Sequence, residues 1–340
     1  MFAVDPASPA QFAEWKSYLE GLETPTAFLD PAWLGVLEGA YPCKPLLFIA
    51  RDDQGRIKGG ALVYHHAVHH RTLYSTPFGM QAREADVADA LLAALAEHAR
   101  DNAIAACDLA PGLGMLDCKA VRHWTRPSFT LDTGADPEAF WSALPSKARN
   151  TIRKAQTQDL AMEIDPERLD AWYEIYADQC LAKRLAIHNK RYFELLFERF
   201  AEDAVLITGS HAGAVISGMV FLIAKPFAHY LFNASRPEAM PTGVNTLLMK
   251  EFADVARARG VRSIDLGESR TGSGVYVFKK KQLGGEEVAM HHYDLLPQAG
   301  PGEPSLEERL LHAARFIWPL LPSPAKRYNL RELKALHRLI

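Results

Sequence analysis

The residues best suited to chemistry lie in one stretch of the chain, residues 265–285. Glu268 offers a carboxylate that can accept a proton, Tyr276 a phenol that can donate one, and Lys279 an ammonium group that can stabilise negative charge. Asp265 is the weaker candidate for a base, because it precedes an apolar residue inside a predicted strand. These residue types predict proton transfer at a centre where negative charge develops.

Other polar and basic side chains are candidates for binding a substrate. The turn after the predicted strand contributes Ser269 and Arg270, and a run of three lysines contributes Lys280. Adjacent lysines repel one another unless an anion or a partner compensates their charge. Lys147 and Arg149 form a basic helix start that either holds an anionic acceptor or is plain surface charge. We predict these five residues as the substrate-binding set.

A second predicted helix start offers a site for an anion. Thr242 and Gly243 precede a helix that extends to Arg259. Free N–H groups and the helix dipole at such a start favour a phosphate or pyrophosphate group. Ordinary capping of the helix is the alternative, and the local sequence leaves both open.

Other catalytic and metal-binding motifs are absent from the sequence. Gly209–Gly213 is not a nucleophile elbow, because its serine stands one place early, and neither a Walker-type loop nor a dinucleotide-binding glycine motif occurs. The histidines of residues 65–70 and 291–292 have no cysteine or carboxylate at ligand spacing. We therefore predict neither a metal site nor an obligatory protein nucleophile.

The composition is that of a soluble protein with room for two domains. Of its 340 residues, 48% are hydrophobic and 23% charged, and the formal net charge is −3. A general nucleic-acid-binding protein would carry a basic excess, so we expect no DNA partner. The cysteines form no Cys-x-x-Cys pair, and no signal peptide is visible at residues 1–6, so we expect reduced thiols in a cytoplasmic protein. The four are Cys43, Cys107, Cys118 and Cys180.

Two similar successions of elements run through the chain. In each half, two helices precede three strands, a helix and a further strand. Aspartate before proline marks helix starts, as at Asp136–Pro137. Residues 204–224 carry no charge, but the small polar turn Gly209–Gly213 interrupts two β-branched runs, which predicts a β-hairpin and not a membrane span. The order of elements predicts an α/β (α+β) fold with two similar domains, residues 1–135 and 136–297.

Two motifs resemble those of FemAB-type transferases, which belong to the GNAT superfamily of acyltransferases. One is Gly274-Val-Tyr276-Val-Phe278-Lys279, and the other is the helix Lys147–Ala155, which reads Lys-x-Arg-x-x-Ile-x-Lys-Ala. The resemblance covers residues 143–295 closely and the N-terminal part by layout. It implies two tandem GNAT-like acyltransferase domains with mostly antiparallel mixed sheets flanked by helices. The second domain would bind the donor and carry the catalytic residues, and the first would lie on the acceptor side.

The resemblance also implies an activity, which is transfer of an acyl group from an acyl-CoA-type thioester to an amine, with no permanently bound cofactor. By position, Tyr276 matches the general acid of GNAT enzymes, and Lys279 is the position that the family motif supports most. The third strand of the second half takes the place whose backbone pairs with the donor's pantetheine arm. The loop Arg236–Gly243 departs from the Arg/Gln-x-x-Gly-x-Gly/Ala pattern of that superfamily. The implied donor-binding residues are Tyr230, Asn233, Ser235, Thr242, Gly243 and Asn245.

Two further hypotheses stay open. FemAB-type transferases use aminoacyl-tRNA as the donor and act on a peptidoglycan precursor in cell-envelope biosynthesis, and a tandem domain of this fold can also serve as a non-catalytic binding protein. The acceptor amine is a small molecule or is lipid-linked, and an amino sugar, a peptide and a long-chain lipid amine all fit the sequence. The oligomeric state has no signature in the sequence.

Residues 298–340 are predicted to form a linker and C-terminal helices. We expect the amphipathic helix Ser305–Ile317 to pack on the first domain. The alternative is a peripheral contact with the inner face of a membrane through this tail, suggested by Phe316 and Trp318 with basic residues beside them.

Overall fold

The computed structural model of the protein describes residues 2–66, 72–112, 122–183 and 185–296. The predicted tail, residues 298–340, lies outside the described residues, and so does Cys118. The proposed contacts of the tail with the first domain or with a membrane therefore stay predictions. Within the described ranges, no helix is long and apolar enough to cross a membrane.

The described residues form one mixed sheet of 12 strands. The strands are β1 (Ala3–Pro6), β2 (Cys43–Arg51), β3 (Ile57–His66), β4 (Thr72–Ala82), β5 (Ala106–Gly112), β6 (Arg122–Asp132), β7 (Leu160–Ile164), β8 (Ala204–His211), β9 (Ala214–Ala224), β10 (Phe227–Ser235), β11 (Ser263–Asp265) and β12 (Glu286–Asp294). Their spatial order is β1-β2-β3-β4-β5-β12-β6-β11-β10-β9-β8-β7. Neighbouring strands are antiparallel except for two parallel pairs, β4–β5 and β10–β11.

Helices cover both faces of this sheet. They are α1 (Phe12–Glu20), α2 (Ala32–Ala40), α3 (Ala85–Asp101), α4 (Pro137–Ala143), α5 (Ser146–Gln156), α6 (Leu169–Lys183), α7 (Lys190–Phe200), α8 (Val244–Ala258) and α9 (Gly274–Val277), which continues into a π-helical turn, Phe278–Gln282. Short 3₁₀ turns lie at Pro9–Gln11, Ala27–Leu29, Pro166–Arg168, Ala201–Asp203 and Pro237–Thr242. The predicted α/β fold with two tandem GNAT-like domains is confirmed.

The local signals that predicted these elements act as expected. Asp136 caps α4 by accepting a hydrogen bond of 2.8 Å from the backbone N–H of Ala139. The uncharged segment is a β-hairpin, in which His211 pairs with Ala214 and both turn residues, Ala212 and Gly213, have positive φ angles. Two such residues are the requirement of a tight type I′ turn, whose twist matches that of the flanking strands. The prediction of a hairpin is confirmed.

The two halves exchange their last strands. β6 is the last strand of the first half but lies beside β11 of the second, and β12 ends the second half but lies beside β5 of the first. The exchanged strands also pair with each other over nine residues, from Glu286 opposite Thr130 to Asp294 opposite Arg122. The sheet therefore has the same order of strands when read from either edge. A cut at residue 135 falls between β6 and α4, and the exact domain boundaries stay predictions.

One apolar cluster joins the halves on one face of the sheet. α1 and α2 from the first half and α6 and α7 from the second contribute its largest members, and the fully buried tryptophans are Trp15, Trp33 and Trp172. Contact between α2 and α7 is close, because a Cβ atom added at Gly39 would stand 2.7 Å from Leu195 Cδ1. On the other face, α3 covers the first half of the sheet, and α4, α5 and α8 cover the second.

A cleft opens where the strands of the second parallel pair separate. β10 and β11 pair over three residues, from Phe227 opposite Ser263 to His229 opposite Asp265. β11 then ends, while β10 continues to Ser235 and contains an irregularity between Tyr230 and Phe232. Such a bulge places one extra residue in the strand and bends it away from its neighbour. The two strand ends therefore diverge, and the predicted reactive turn lies at this point.

The exchange of strands leads to a prediction about the separated halves. A fragment of residues 1–135 would leave one edge of β5 and both edges of β6 without partners. We therefore expect neither it nor a fragment of residues 136–340 to form a stable monomer. Expressed together, the two fragments should form a 1:1 complex through β6 and β12. Co-purification through a tag on one fragment measures this. Two fragments that each remain monomeric and unfold cooperatively would contradict the exchanged sheet.

Candidate active site

A cavity of about 310 Å³ lies in the cleft between β10 and β11. Gly267 and Glu268, which follow β11, line it together with Leu231 from the bulge of β10. Asp265 at the end of β11, His188 from the segment between α6 and α7, and Arg126 from β6 add to its polar lining. The aromatic lining residues are Phe28, Phe78, Tyr192, Tyr230 and Phe232. Both halves of the chain thus contribute to one small, largely aromatic site.

The carboxylate of Glu268 is a polar centre of this cavity. Its Oε1 atom lies 2.8 Å from Nε2 of His292, and Nδ1 of His292 lies 3.5 Å from Oδ1 of Asp108. His292 is fully buried and its ring stacks on that of Trp124. Arg126 Nη1 lies 3.6 Å from the other oxygen of Glu268. The structure therefore places the predicted base in the cavity, with an imidazole and a second carboxylate behind it to share a proton.

Lys279 supports the turn that carries Glu268. It lies in the π-helical turn, is 4% exposed, and its Nζ donates hydrogen bonds to the carbonyl oxygens of Gly267 at 2.9 Å and Glu268 at 3.1 Å. Burial lowers the pKa of Lys279 to about 8, although the carboxylates of Asp265 and Glu268 oppose this shift. Its ammonium group also faces the ring of Tyr230 at 5.9 Å. The predicted contact of Lys279 with a reacting carbonyl or a donor phosphate stays a prediction.

Tyr276 and Lys280 belong to a separate group on the protein surface. The hydroxyl of Tyr276 donates to Glu287 Oε2 at 2.7 Å, and Lys280 Nζ lies 2.6 Å from the same oxygen. The rings of Tyr276 and Phe129 make a T-shaped contact at the edge of the core, with centroids 5.2 Å apart. A role of Tyr276 as general acid stays a prediction, and it would require the hydroxyl to leave Glu287.

The other predicted substrate-binding residues are spread over two places. Ser269 donates its hydroxyl to the carbonyl of Glu268 at 2.8 Å, and Arg270 is exposed in the same turn. Lys147 is exposed on α5, and Arg149 donates to the carbonyl of Ser142 at 3.1 Å. The turn after β11 thus lies beside the cavity, whereas the start of α5 has its own local contacts.

Three of the predicted donor-binding residues bind one another. Oδ1 of Asn245 accepts hydrogen bonds from the hydroxyls of Ser217 at 2.7 Å and Ser235 at 2.9 Å, and from the amide of Asn233 at 3.3 Å. This cluster ties the end of β10 to the first turn of α8. A donor that binds to these side chains would have to replace the hydrogen bonds that they make with one another.

The free edge of β10 is closed by a glutamine that the sequence did not identify. Gln179 on α6 donates its side-chain amide to the carbonyl of Asn233 at 2.9 Å and accepts from the N–H of Ser235 at 3.3 Å. Residues two apart in a strand direct these groups to the same edge. An extended arm that adds to a strand edge would use the same two groups. The side chain of Gln179 therefore takes the place of such an arm.

The first turn of α8 is covered by α5. Thr242 accepts a hydrogen bond from the N–H of Val244 at 3.1 Å, whereas the N-cap residue itself, Gly243, makes no side-chain capping bond. Gly243 has a φ angle of 82°, and a Cβ atom there would stand 2.6 Å from the side chain of Thr151. Gln158 also donates to the carbonyl of Thr242 at 3.1 Å. Binding of a pyrophosphate at Thr242 and Gly243 stays a prediction.

A buried polar chain beside the cavity was not identified from the sequence. Asp265 accepts from the hydroxyl of Ser128 at 3.3 Å and from the N–H of Gly267 at 3.1 Å, and its other oxygen lies 3.2 Å from Nδ1 of His229. Nε2 of His229 lies 3.5 Å from the hydroxyl of Thr26, which belongs to the first half. A histidine inside an apolar strand was the one available signal, because its partners are distant in the sequence.

The lowered pKa of Lys279 gives a prediction about stability. The unfolded chain has a lysine pKa of about 10.4, so between pH 8 and about 10 the unfolded state binds more protons than the folded state. The free energy of unfolding should therefore rise with pH in this window, by up to about 1.4 kcal/mol per pH unit, relative to that of Lys279→Met. Urea unfolding from pH 7 to pH 10 measures the difference.

Lys281→Met, a change at an exposed lysine, provides the control. The difference between its free energy of unfolding and that of the wild type should stay constant with pH. If the free energies of unfolding of the wild type and Lys279→Met changed with pH in parallel, Lys279 would not be a buried ammonium group with a lowered pKa.

The comparisons with known proteins concern the family and the fold. Residues 146–280 match the sequence model of the Acetyltransferase (GNAT) domain family. No curated protein sequence gives a significant match to the chain. FemX has a similar structure, with a TM-score of 0.70 and 13% identity over 87% of this chain and 98% of its own.

Two further solved structures share the arrangement. A tandem GNAT protein from the clavulanic acid biosynthesis pathway gives a TM-score of 0.56 and 15% identity over 89% of this chain and 100% of its own. L-PGS from Bacillus licheniformis gives a TM-score of 0.55 and 14% identity over 92% of this chain and 98% of its own. At these identities the likeness shows the fold alone. The chain has the tandem GNAT fold of FemAB-type proteins, and its second half contains the stretch that matches the GNAT family.

Proposed function

We propose that the protein is an N-acyltransferase that moves an acyl group from an activated ester or thioester to a primary amine in the cavity between β10 and β11. The observation that carries the proposal is the carboxylate of Glu268, which lines this cavity and hydrogen-bonds the buried imidazole of His292 at 2.8 Å. Glu268 also follows the divergence of two parallel strands, where a ligand can enter between the strand ends.

The lining of the cavity suits an amine. A protonated amine is attracted by the faces of aromatic rings and by a carboxylate. Glu268 supplies the carboxylate, and the ring of Tyr230 and its aromatic neighbours supply the faces. The amine must lose its proton before it attacks, and the pair of Glu268 and His292 can take that proton. The same residues thus attract the acceptor and activate it.

The reaction needs one bond formed and one broken at the acyl carbon. The amine nitrogen bonds to the carbonyl carbon, and the bond from that carbon to the donor's sulfur or oxygen breaks. Glu268 and His292 take the proton that the ammonium group loses before attack, and the second proton, released by the nitrogen after attack, passes to the leaving thiolate or alkoxide. In the tetrahedral intermediate, negative charge develops on the carbonyl oxygen, and a hydrogen-bond donor is needed to stabilise it. Leu231, the extra residue of the bulge, lines the cavity, and we propose that its backbone N–H is this donor.

Lys279 has a positioning role in this proposal. Its two hydrogen bonds fix the carbonyl groups of Gly267 and Glu268, and so fix the direction of the Glu268 side chain. A shift of the turn by about 1 Å would misplace the base and cost on the order of 100-fold in rate. Loss of Lys279 should therefore lower turnover even if its ammonium group never touches the substrate.

Two donors remain candidates, and one observation favours each. An acyl-CoA thioester is the donor associated with the matched GNAT family. An aminoacyl ester of tRNA is favoured by the closed edge of β10, because Gln179 occupies the groups that an amide-bearing thioester arm would use. Both donors present the same activated carbonyl to the amine. The acceptor remains a small-molecule or lipid-linked amine.

Glu268→Gln tests the proposed reaction. This change keeps the size of the side chain but removes the base, so we expect turnover to fall about 100-fold or more. The defect should become smaller above pH 9, because a larger fraction of the amine is then already neutral. Transfer is measured with acyl-CoA and aminoacyl-tRNA donors and a panel of amines. Glu286→Gln, an exposed change on β12, is the matched control. Equal rates for Glu268→Gln and the wild type would contradict the assignment.

Gln179→Ala tests the choice of donor. It frees the carbonyl of Asn233 and the N–H of Ser235, so coenzyme A should bind about tenfold more tightly than to the wild type. Calorimetric titration with coenzyme A measures the dissociation constants. Gln54→Ala, in an exposed turn, controls for the loss of a glutamine side chain. Tight binding to the wild type that Gln179→Ala leaves unchanged would show that the arm does not use this edge.

A further inference from the structure

A second cavity, of about 430 Å³, lies between the end of β4 and the paired part of β10 and β11. Its volume falls within the range of small-molecule sites. Phe78 and Asp265 line this cavity and also the cavity that contains Glu268. The two cavities therefore lie next to each other at these residues.

The polar lining of the second cavity is almost entirely uncharged. Of the described residues that line it, none is lysine or arginine, and Asp265 is the acidic one. The site therefore lacks the cations that would bind the phosphates of a donor. The polar groups are instead hydroxyl, amide and imidazole groups, from Thr24, Thr26, Gln81, Thr130, Ser263 and His229, and the rest of the lining is apolar.

His229 is held in a defined orientation at this cavity. Its ring lies beside the stacked rings of Phe28 and Phe78, at centroid distances of 4.7 and 5.3 Å. The carboxylate of Asp265 lies 3.2 Å from Nδ1 and can accept a hydrogen bond from that nitrogen, and in the tautomer that donates it Nε2 has a lone pair. The hydroxyl of Thr26 is 3.5 Å from Nε2, which is a long contact. Nε2 can thus accept a stronger hydrogen bond from a ligand O–H or N–H group.

The residue between the two cavities has a strained backbone. Phe78 has a φ angle of 51°, which is rare for a bulky side chain. Gly79 follows it, and a Cβ atom there would stand 2.3 Å from the carbonyl oxygen of Thr76. Such strain persists only where the surroundings impose it, and it is concentrated at ligand sites. Here it holds the ring of Phe78 against those of Phe28 and His229.

We propose that the second cavity binds the body of the acceptor, and that this body is uncharged and rich in hydroxyl groups, as in an amino sugar. The inference rests on the proposed function, because the amine of the acceptor must extend past Phe78 to Glu268. His229 accepts a hydrogen bond from a hydroxyl of the ligand, and Gln81 and Thr130 bind others. A long-chain alkyl amine would contact the apolar part of the lining but would leave these polar groups without partners.

Binding without a donor tests the proposal directly. The probes are glucosamine, N-acetylglucosamine and n-octylamine, each titrated into the full-length protein and followed by calorimetry and ligand-observed NMR. Both sugars should bind, and Gln81→Leu and Thr130→Val should each raise their dissociation constants at least about tenfold. Gln81 and Thr130 are only partly buried, so these variants should fold even if His229→Phe does not. Gln54→Leu, an exposed change outside both cavities, should leave the binding of both sugars unchanged.

Two results would overturn the inference. One is n-octylamine binding in place of the sugars, and the other is sugar binding that neither Gln81→Leu nor Thr130→Val weakens. The proposed function has a different failure, which is full transfer activity in Glu268→Gln. A protein that transfers acyl groups to amines but binds neither sugar would therefore disprove the substrate class and leave the reaction standing.

Discussion

The three-residue parallel pairing of β10 with β11 is the constraint on which the site depends. Parallel strands cannot be joined by a tight turn, so α8 must cross from the end of β10 to the start of β11. The pairing ends at His229 and Asp265, whose side chains lie 3.2 Å apart and close the end of the ladder. Beyond this point the bulge in β10 and the early end of β11 separate the strands and open the cavity. A longer pairing would fill the cleft with backbone.

The turn after β11 is held by the buried ammonium group of Lys279, which is costly to remove from water. Removing an ammonium group from water is costly, and the lowered pKa of Lys279 expresses this cost. The two carbonyl oxygens that it contacts offset the loss of water without neutralising the charge. A neutral side chain would fit this core position at lower cost but would leave the carbonyls of Gly267 and Glu268 without a donor. The π-helical turn around Lys279 is a further irregularity of the kind found at functional sites.

Local signals in the sequence predicted much of this fold, and distant contacts account for the rest. The hairpin of β8 and β9, the capped start of α4 and the motif around Lys279 depend on neighbouring residues, and each was identified. β1 and β7 were missed, because strands of four and five residues at the edges of the sheet carry little periodicity. The exchange of β6 and β12, the contact of His292 with Glu268 and the closure of β10 by Gln179 join residues that are at least 24 positions apart. Contacts of that kind have no signature in spacing, and only the folded chain brings them together.

The exchanged strands also determine when the protein can fold during its synthesis. When β6 leaves the ribosome, neither of its neighbours has been made, and the edge of β5 that receives β12 is open. At about 5–20 residues per second, the ribosome needs on the order of ten seconds to reach the end of β12. Through that interval the first half exposes unpaired strand edges, which are templates for aggregation. A chaperone that holds nascent strands, or a pause that keeps ribosomes apart on the message, would therefore benefit this chain more than a tandem protein whose domains complete their sheets one after the other.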